Sequence, residues 1–218
     1  MKKINPFVKD FIERGVLNTP IIIKAFENID RADFVLPDTK ESAYVNQPLS
    51  IGFGQTISQP ETVAFMLELL QPEPGNKIFE IGFGSGWQTA LLAYIVSDKR
   101  QETNGKKQTG IIYAVERISE LFRFGRKNIA GYGFIKKGIV KTVGGDAALG
   151  LPRHAPYDRI IAGASAQEVP EVWLKELKIG GRLVAPVKES IWLYIKKSEK
   201  EFEKSEFPGF VFVPLISK

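Results

Sequence analysis

The chain has 218 residues, 44% of them hydrophobic and 25% charged, with a formal net charge of +5. That length supports a full core within one domain, and the mild basic excess, scattered in pairs such as Lys136-Lys137 and Lys196-Lys197, reads as solvated surface; no nucleic-acid partner is expected. The chain has no cysteine, which excludes disulfides, thiolate metal sites and a sulfur nucleophile, while no apolar run reaches membrane-spanning length and Met1 to Pro6 lacks a signal-peptide core. A cytoplasmic protein without metal or membrane partners is the expectation.

The first forty residues read as two short helices, opened at Asn5-Pro6 and Thr19-Pro20, with Gly15 closing the first. Residues 43–58, rich in Gly, Pro and small polar side chains, read as a loop too irregular for an element. A helix from Pro60 to Leu70 follows and ends at Pro72-Glu73-Pro74-Gly75. From Lys77 onward, strands at Lys77–Ile81, Ile111–Val115, Gly138–Val143, Arg159–Ala162 and Arg182–Pro186 alternate with helices at Trp87–Val96, Ser119–Ala130 and Glu171–Leu177. That alternation predicts an α/β fold with a Rossmann-like, doubly wound, mostly parallel sheet. Ile191–Lys196 and Gly209–Pro214 complete it as an antiparallel edge hairpin. The polar stretch from Ser97 to Gly110 is expected to be a mobile loop. One domain results: N-terminal helices and a substrate loop (1–60), a cofactor core (77–187) and a C-terminal hairpin (190–218).

Glu80-Ile81-Gly82-Phe83-Gly84-Ser85-Gly86 joins the first core strand to its helix. Glycines here permit a tight turn and let a ligand approach bare backbone. A dinucleotide fingerprint needs a third glycine where this chain has Trp87. Glu80 disfavours phosphate and suits an ammonium or sulfonium ligand such as S-adenosylmethionine. Two more acids follow later strands. Glu116 stands where a carboxylate accepts ribose hydroxyls, and Asp146 can accept from an adenine amino group. Nicotinamide binding remains a competing reading for Glu116. After the fourth strand, Gly163-Ala164-Ser165-Ala166 replaces the Asp/Asn-Pro-Pro-aromatic motif of base amino-methylating enzymes, which argues against that acceptor. The sole histidine, His154, lies between Pro152 and Pro156 and reads as a surface loop residue.

The segment Ala43-Tyr44-Val45-Asn46-Gln47-Pro48-Leu49-Ser50-Ile51-Gly52-Phe53-Gly54-Gln55-Thr56-Ile57-Ser58 closely resembles the protein-L-isoaspartate O-methyltransferases. The resemblance continues through Glu80–Gly86, Val115-Glu116-Arg117, Gly145-Asp146, Ala155–Asp158, Gly180–Leu183 and Val211–Leu215 and covers nearly the whole chain. It implies methyl transfer from S-adenosylmethionine, with S-adenosylhomocysteine as product, to the free α-carboxylate of L-isoaspartyl residues in damaged proteins; D-aspartyl residues are a second acceptor. It implies Ser58 and Thr56 as catalytic, and Gln55, Ile57, Glu80, Gly82, Gly84, Ser85, Gly86, Glu116, Asp146 and Ala147 as cofactor-binding. Asn46, Val211 and Val213 would meet the substrate, the last two by offering backbone as an edge strand. Such a carboxylate has a pKa of about 3.5, so it is already a nucleophile at neutral pH and needs no general base.

Three departures from the family pattern stand out. Asn46 replaces an Asp, Ala147 replaces a Gly, and the 97–110 stretch is long and contains Asn104-Gly105, a dipeptide prone to isoaspartate formation. Ser58-Gln59-Pro60-Glu61 also matches a capping box, so spacing alone reads Ser58 as a helix cap. Two alternatives stay open: a related methyltransferase with another acceptor, and a non-catalytic domain binding nucleotide or RNA.

Overall fold

A computed structural model of the chain describes residues 5–98 and 109–217. The expectations for the 97–110 loop, including Asn104-Gly105, and for the first four residues fall largely or wholly outside these. Helices α1 (Phe7–Glu13) and α2 (Pro20–Asn28) lead into a two-stranded hairpin, β1 (Leu49–Gly52) and β2 (Gln55–Ile57), and then helix α3 (Pro60–Leu70). The core alternates β3 (Lys77–Ile81), α4 (Trp87–Val96), β4 (Ile111–Glu116), α5 (Ser119–Gly131), β5 (Val140–Gly144), β6 (Tyr157–Ala162), α6 (Glu171–Glu176) and β7 (Leu177–Val187). β8 (Ser190–Lys196) and β9 (Phe202–Pro208) close the sheet in the order β5-β4-β3-β6-β7-β8-β9. The first five of these run parallel, and β8 and β9 are antiparallel.

Alternation of side chains across the pleat builds two cores. Ile78, Ile112 and Ala114 face the larger one, with the buried faces of α1 to α5. Phe79, Ile81, Tyr113 and Val115 face the smaller one, which is covered by Trp173 of α6. Helix α4 is buried nearly all round because it lies between the sheet and α2. The chain winds outward from β3 through β4 to β5, then returns to place β6 on β3's other side. The crevice beyond the carboxyl ends of β3 and β6 is therefore the topological switch point, where open parallel sheets bind ligands.

Four expectations are corrected. Residues 43–58 hold the β1–β2 hairpin, because Gly52, Phe53 and Gly54 take positive φ and turn the chain tightly. The hairpin partner of β8 is Phe202–Pro208, not Gly209–Pro214; its Glu and Lys residues resemble a linker but are the exposed face of an edge strand, where charge deters further pairing. Gly209, at φ 93, ends it. Asn5 is no cap: it is buried, its amide donates to the Phe26 and Ile29 carbonyls, and its Oδ1 accepts from the Arg31 N–H. β5 begins at Val140, since Gly138 turns at φ 73.

Candidate active site

The three glycines after β3 are required by conformation: Gly82, Gly84 and Gly86 have φ of 72, 49 and 85. Gly86 also packs so tightly that a Cβ there would lie 2.7 Å from Ile129 and 2.9 Å from the Gly125 carbonyl. This turn lines one cavity with Glu116, Gly145 and Ala147, and a second with Glu80, Ser85 and Gln88. A third lies between Ser58, Thr62 and the segment Val211–Val213. Thr56 and Gly163 are walls of all three.

Glu116 is buried and held by backbone. Its Oε1 accepts from the Arg117 and Ile118 N–H groups at 2.8 and 2.9 Å, and its Oε2 from Gly84 N–H at 3.0 Å. The fixed carboxylate keeps acceptor capacity on Oε2 for a ribose hydroxyl. Glu80 is fully buried; its Oε1 accepts from Gln88 Nε2 at 3.1 Å, while its Oε2 has no partner among the described residues. Burial pushes its carboxyl up to about 7, opposed by the nearby Thr89 hydroxyl, which makes no hydrogen bond of its own among the described residues, and by Gln88. A buried carboxylate oxygen left without a donor, beside bare glycine backbone, fits the ammonium of a methionine-like ligand. Asp146 lies at the edge: its Oδ2 meets Arg117 Nη1 at 2.8 Å and its Oδ1 accepts from Ala148 N–H. Ala147 is buried and lines the Glu116 cavity at an ordinary φ, so its methyl adds no backbone strain.

Ser58 lines the second and third cavities, and its hydroxyl makes no hydrogen bond among the described residues. The capping reading fails: the N-cap position of α3 is Gln59, which makes no side-chain cap. Asn46 serves instead. Its Oδ1 accepts from Glu61 N–H at 3.1 Å and its Nδ2 donates to Glu61 Oε2 at 2.6 Å. Asn46 thus satisfies the first turn of α3 from a distant loop, and both ends of its amide are engaged there. Gln55 lines the first cavity and Ile57 the second. Val211 is 86% exposed, and residues 211–213 form no strand: Val213's carbonyl is bound by Ser165 N–H at 2.8 Å.

Two further residues shape the site without having been assigned to it from the sequence. Arg31 is fully buried, lies 5.3 Å over the Trp87 ring, and donates to the carbonyls of Ala43, Gln47 and Ser58 at 2.6, 3.1 and 3.0 Å. It staples both ends of the β1–β2 segment, and burial pulls its pKa down to about 10. Gly163 follows β6 directly, and a Cβ there would meet the Gly82 carbonyl at 2.8 Å. His154 stacks on Tyr113 at 4.1 Å and lines none of the three cavities. Among the described residues, no cluster of three His, Cys, Asp or Glu could hold a metal, and no helix is long and apolar enough to cross a membrane.

The profile of the protein-L-isoaspartate(D-aspartate) O-methyltransferase family matches residues 2–218. A protein-L-isoaspartate O-methyltransferase of Staphylothermus marinus is 44% identical over 216 residues, which are 97% of this chain and 93% of that one. One from Methanopyrus kandleri is 40% identical over 208 residues, covering 94% and 87%. Among solved structures, one titled protein-L-isoaspartate O-methyltransferase aligns at TM-score 0.82 and 25% identity, covering 99% of this chain and 66% of that one. A Plasmodium falciparum structure in complex with S-adenosyl-L-homocysteine gives TM-score 0.84 over 99% of both chains and, at 23% identity, speaks for the fold. The chain belongs to the protein-L-isoaspartate(D-aspartate) O-methyltransferase family.

Proposed function

We propose that this chain methylates the free α-carboxylate of isoaspartyl residues in proteins and peptides, using S-adenosylmethionine. The observation that carries the reading is the meeting of three cavities at Thr56 and Gly163. Glu116, with Gly82, Gly84 and Ala147, holds the nucleoside, and Asp146 with Arg117 forms its outer rim. Glu80 receives the ammonium of the amino-acid arm beside Ser85 and Gly86. When bound, S-adenosylmethionine supplies a methyl group activated on sulfonium.

The acceptor cavity suits an anion that is already nucleophilic. Its lining, from Pro48 through Thr62 to Val213, carries no charged side chain and no histidine. Ser58 and Thr56 hydroxyls orient the carboxylate by donating to it without neutralising it, and Gln55 and Ile57 hold that strand over the cofactor. Alignment of the carboxylate with the methyl carbon is then the main source of rate, and water is excluded by the 211–216 segment that walls two of the cavities. Arg31 fixes Ser58 through its carbonyl and sets a buried cation behind an uncharged pocket. Val211 and Val213 contact the peptide from the opposite wall, while Asn46 acts on the acceptor side by anchoring α3. Residues 1–60 serve the acceptor, 77–187 the cofactor, and 190–218 the closing edge.

Ser58→Ala tests the assignment. Turnover of an isoaspartyl peptide should fall at least about a hundredfold, in the range of a lost catalytic hydrogen-bond donor. Melting temperature and S-adenosylhomocysteine affinity should hold. Retained turnover would remove Ser58 from the mechanism.

A further inference from the structure

The acceptor cavity does not end at Thr62. Gln59 and Thr62 are also walls of a larger groove of about 590 Å³ that continues along α3 past Phe65 to Leu69. The opposite wall is continuous too. Val211–Val213 bound the acceptor cavity, and Gly209 and Phe210 bound the groove. Both features are thus parts of one channel between α3 and the 209–213 segment. That segment is anchored, since the Gly209 and Phe210 N–H groups both donate to the Glu189 carbonyl at 3.0 Å.

The channel has the length and chemistry of a polypeptide site. Thr62 to Leu69 spans about 10 Å of helix at 1.5 Å per residue, the reach of about three extended residues. Phe65 lies in parallel stacking with Phe210 at 5.3 Å and edge-on to Phe207 at 5.3 Å, giving an aromatic floor. Val16 and Leu69 extend it. No basic side chain lines the groove, and its two acids are committed. Glu61 is held by Arg14 and Asn46, and Glu68 accepts from Asn18 N–H, Thr19 N–H and the Thr19 hydroxyl. At the junction with the acceptor cavity, Val211 presents an exposed apolar side chain.

We propose that this groove is a subsite for one flank of the substrate polypeptide. It takes an apolar side chain two or three residues from the isoaspartyl residue and rejects Asp or Glu at that place. The inference rests on the acceptor reading above, because the shared walls at Gln59 and Thr62 give the groove its occupant.

The test uses the full-length wild-type enzyme and a series of isoaspartyl peptides. Each carries Leu, Gly or Glu at positions two and three on either side, with KM and kcat measured separately. On one flank only, Leu should lower KM about tenfold or more relative to Gly, as expected for burying one aliphatic side chain, and Glu should raise it. The value of kcat should stay level. In Phe210→Ala the Leu-to-Gly ratio should collapse toward one, with S-adenosylhomocysteine affinity retained. Equal KM values across the wild-type series on both flanks would overturn the proposal, and so would a Leu preference that survives in Phe210→Ala. Failure of the underlying reading looks different. No isoaspartyl peptide would be labelled despite confirmed cofactor binding, and the subsite would fall with it.

Discussion

Replacing Glu80 by Gln should make the apo protein more stable and the cofactor complex weaker. The side chain is fully buried, one carboxylate oxygen lacks a donor, and burial raises its pKa from 4.5 to about 7. Between those values the folded chain holds a proton that the unfolded chain has released, so apo stability falls as pH rises through that window. Above pH 7 both states are ionised and the full cost is present. At about 1.4 kcal/mol per pH unit, it comes to about 3 kcal/mol at pH 8. For a chain of this size that is about 5–10 °C in melting temperature. Glu80→Gln removes the titration while keeping the shape and the acceptor toward Gln88. Its apo melting temperature should exceed that of wild type by about that amount at pH 8, and the difference should vanish near pH 4.5. Binding should move the other way. Wild-type affinity for S-adenosylhomocysteine should weaken as pH falls below 7, whereas the variant should bind at least about tenfold more weakly at pH 8 and lose that dependence. Melting curves and calorimetry from pH 4.5 to 8.5 check both. A variant with the wild-type pH profile would refute the reasoning, since the buried carboxyl would then be paying nothing.

Further predictions concern the acceptor side and the glycines. Arg31→Met strands three carbonyls, so stability should drop by about 3 kcal/mol in denaturant titration, with a peptide KM raised more than the cofactor Kd; Arg31→Lys should recover part of both. Equal loss in the two constants would make Arg31 a fold residue only. Asn46→Asp keeps the acceptor for Glu61 N–H but sets a second carboxylate against Glu61. A loss of about 1 kcal/mol is expected at pH 8, shrinking with salt and with acid, because the like-charge cost disappears as either carboxyl is protonated. Unchanged stability at low salt would count against the side-chain contact between Asn46 Nδ2 and Glu61 Oε2. Gly163→Ala puts a Cβ 2.8 Å from the Gly82 carbonyl, and both cofactor binding and turnover should fall even where the fold survives. A fully active Gly163→Ala enzyme would mean the three cavities do not depend on that wall.

Some of this could be read from the chain, and the division has physical reasons. The parallel core was legible because β3, β4 and β5 are short β-rich runs alternating with helices α4 and α5, and because the positive φ values at Gly82, Gly84 and Gly86 demand glycine. Motifs put Glu80, Glu116 and Ser58 among the candidate site residues, and each lines a cavity beside the glycine turn. The hairpin at Leu49–Ile57 was hidden because its turn residues outweigh two very short strands. β9 was hidden because edge strands carry charge to avoid pairing, which is also how linkers look. Asn46 and Arg31 act through partners 15 and 27 residues away, Glu61 and the Ser58 carbonyl, and no local spacing encodes such contacts. The capping box at Ser58 failed for a related reason: a better-placed donor and acceptor from another loop already served that helix end.

The most direct measurement is transfer of labelled methyl from S-adenosylmethionine to an isoaspartyl peptide, with the ordinary aspartyl peptide of the same sequence as control. The account predicts base-labile label on the isoaspartyl peptide alone. Label on neither peptide, in protein that binds S-adenosylhomocysteine, would contradict the acceptor assignment while leaving the cofactor site standing.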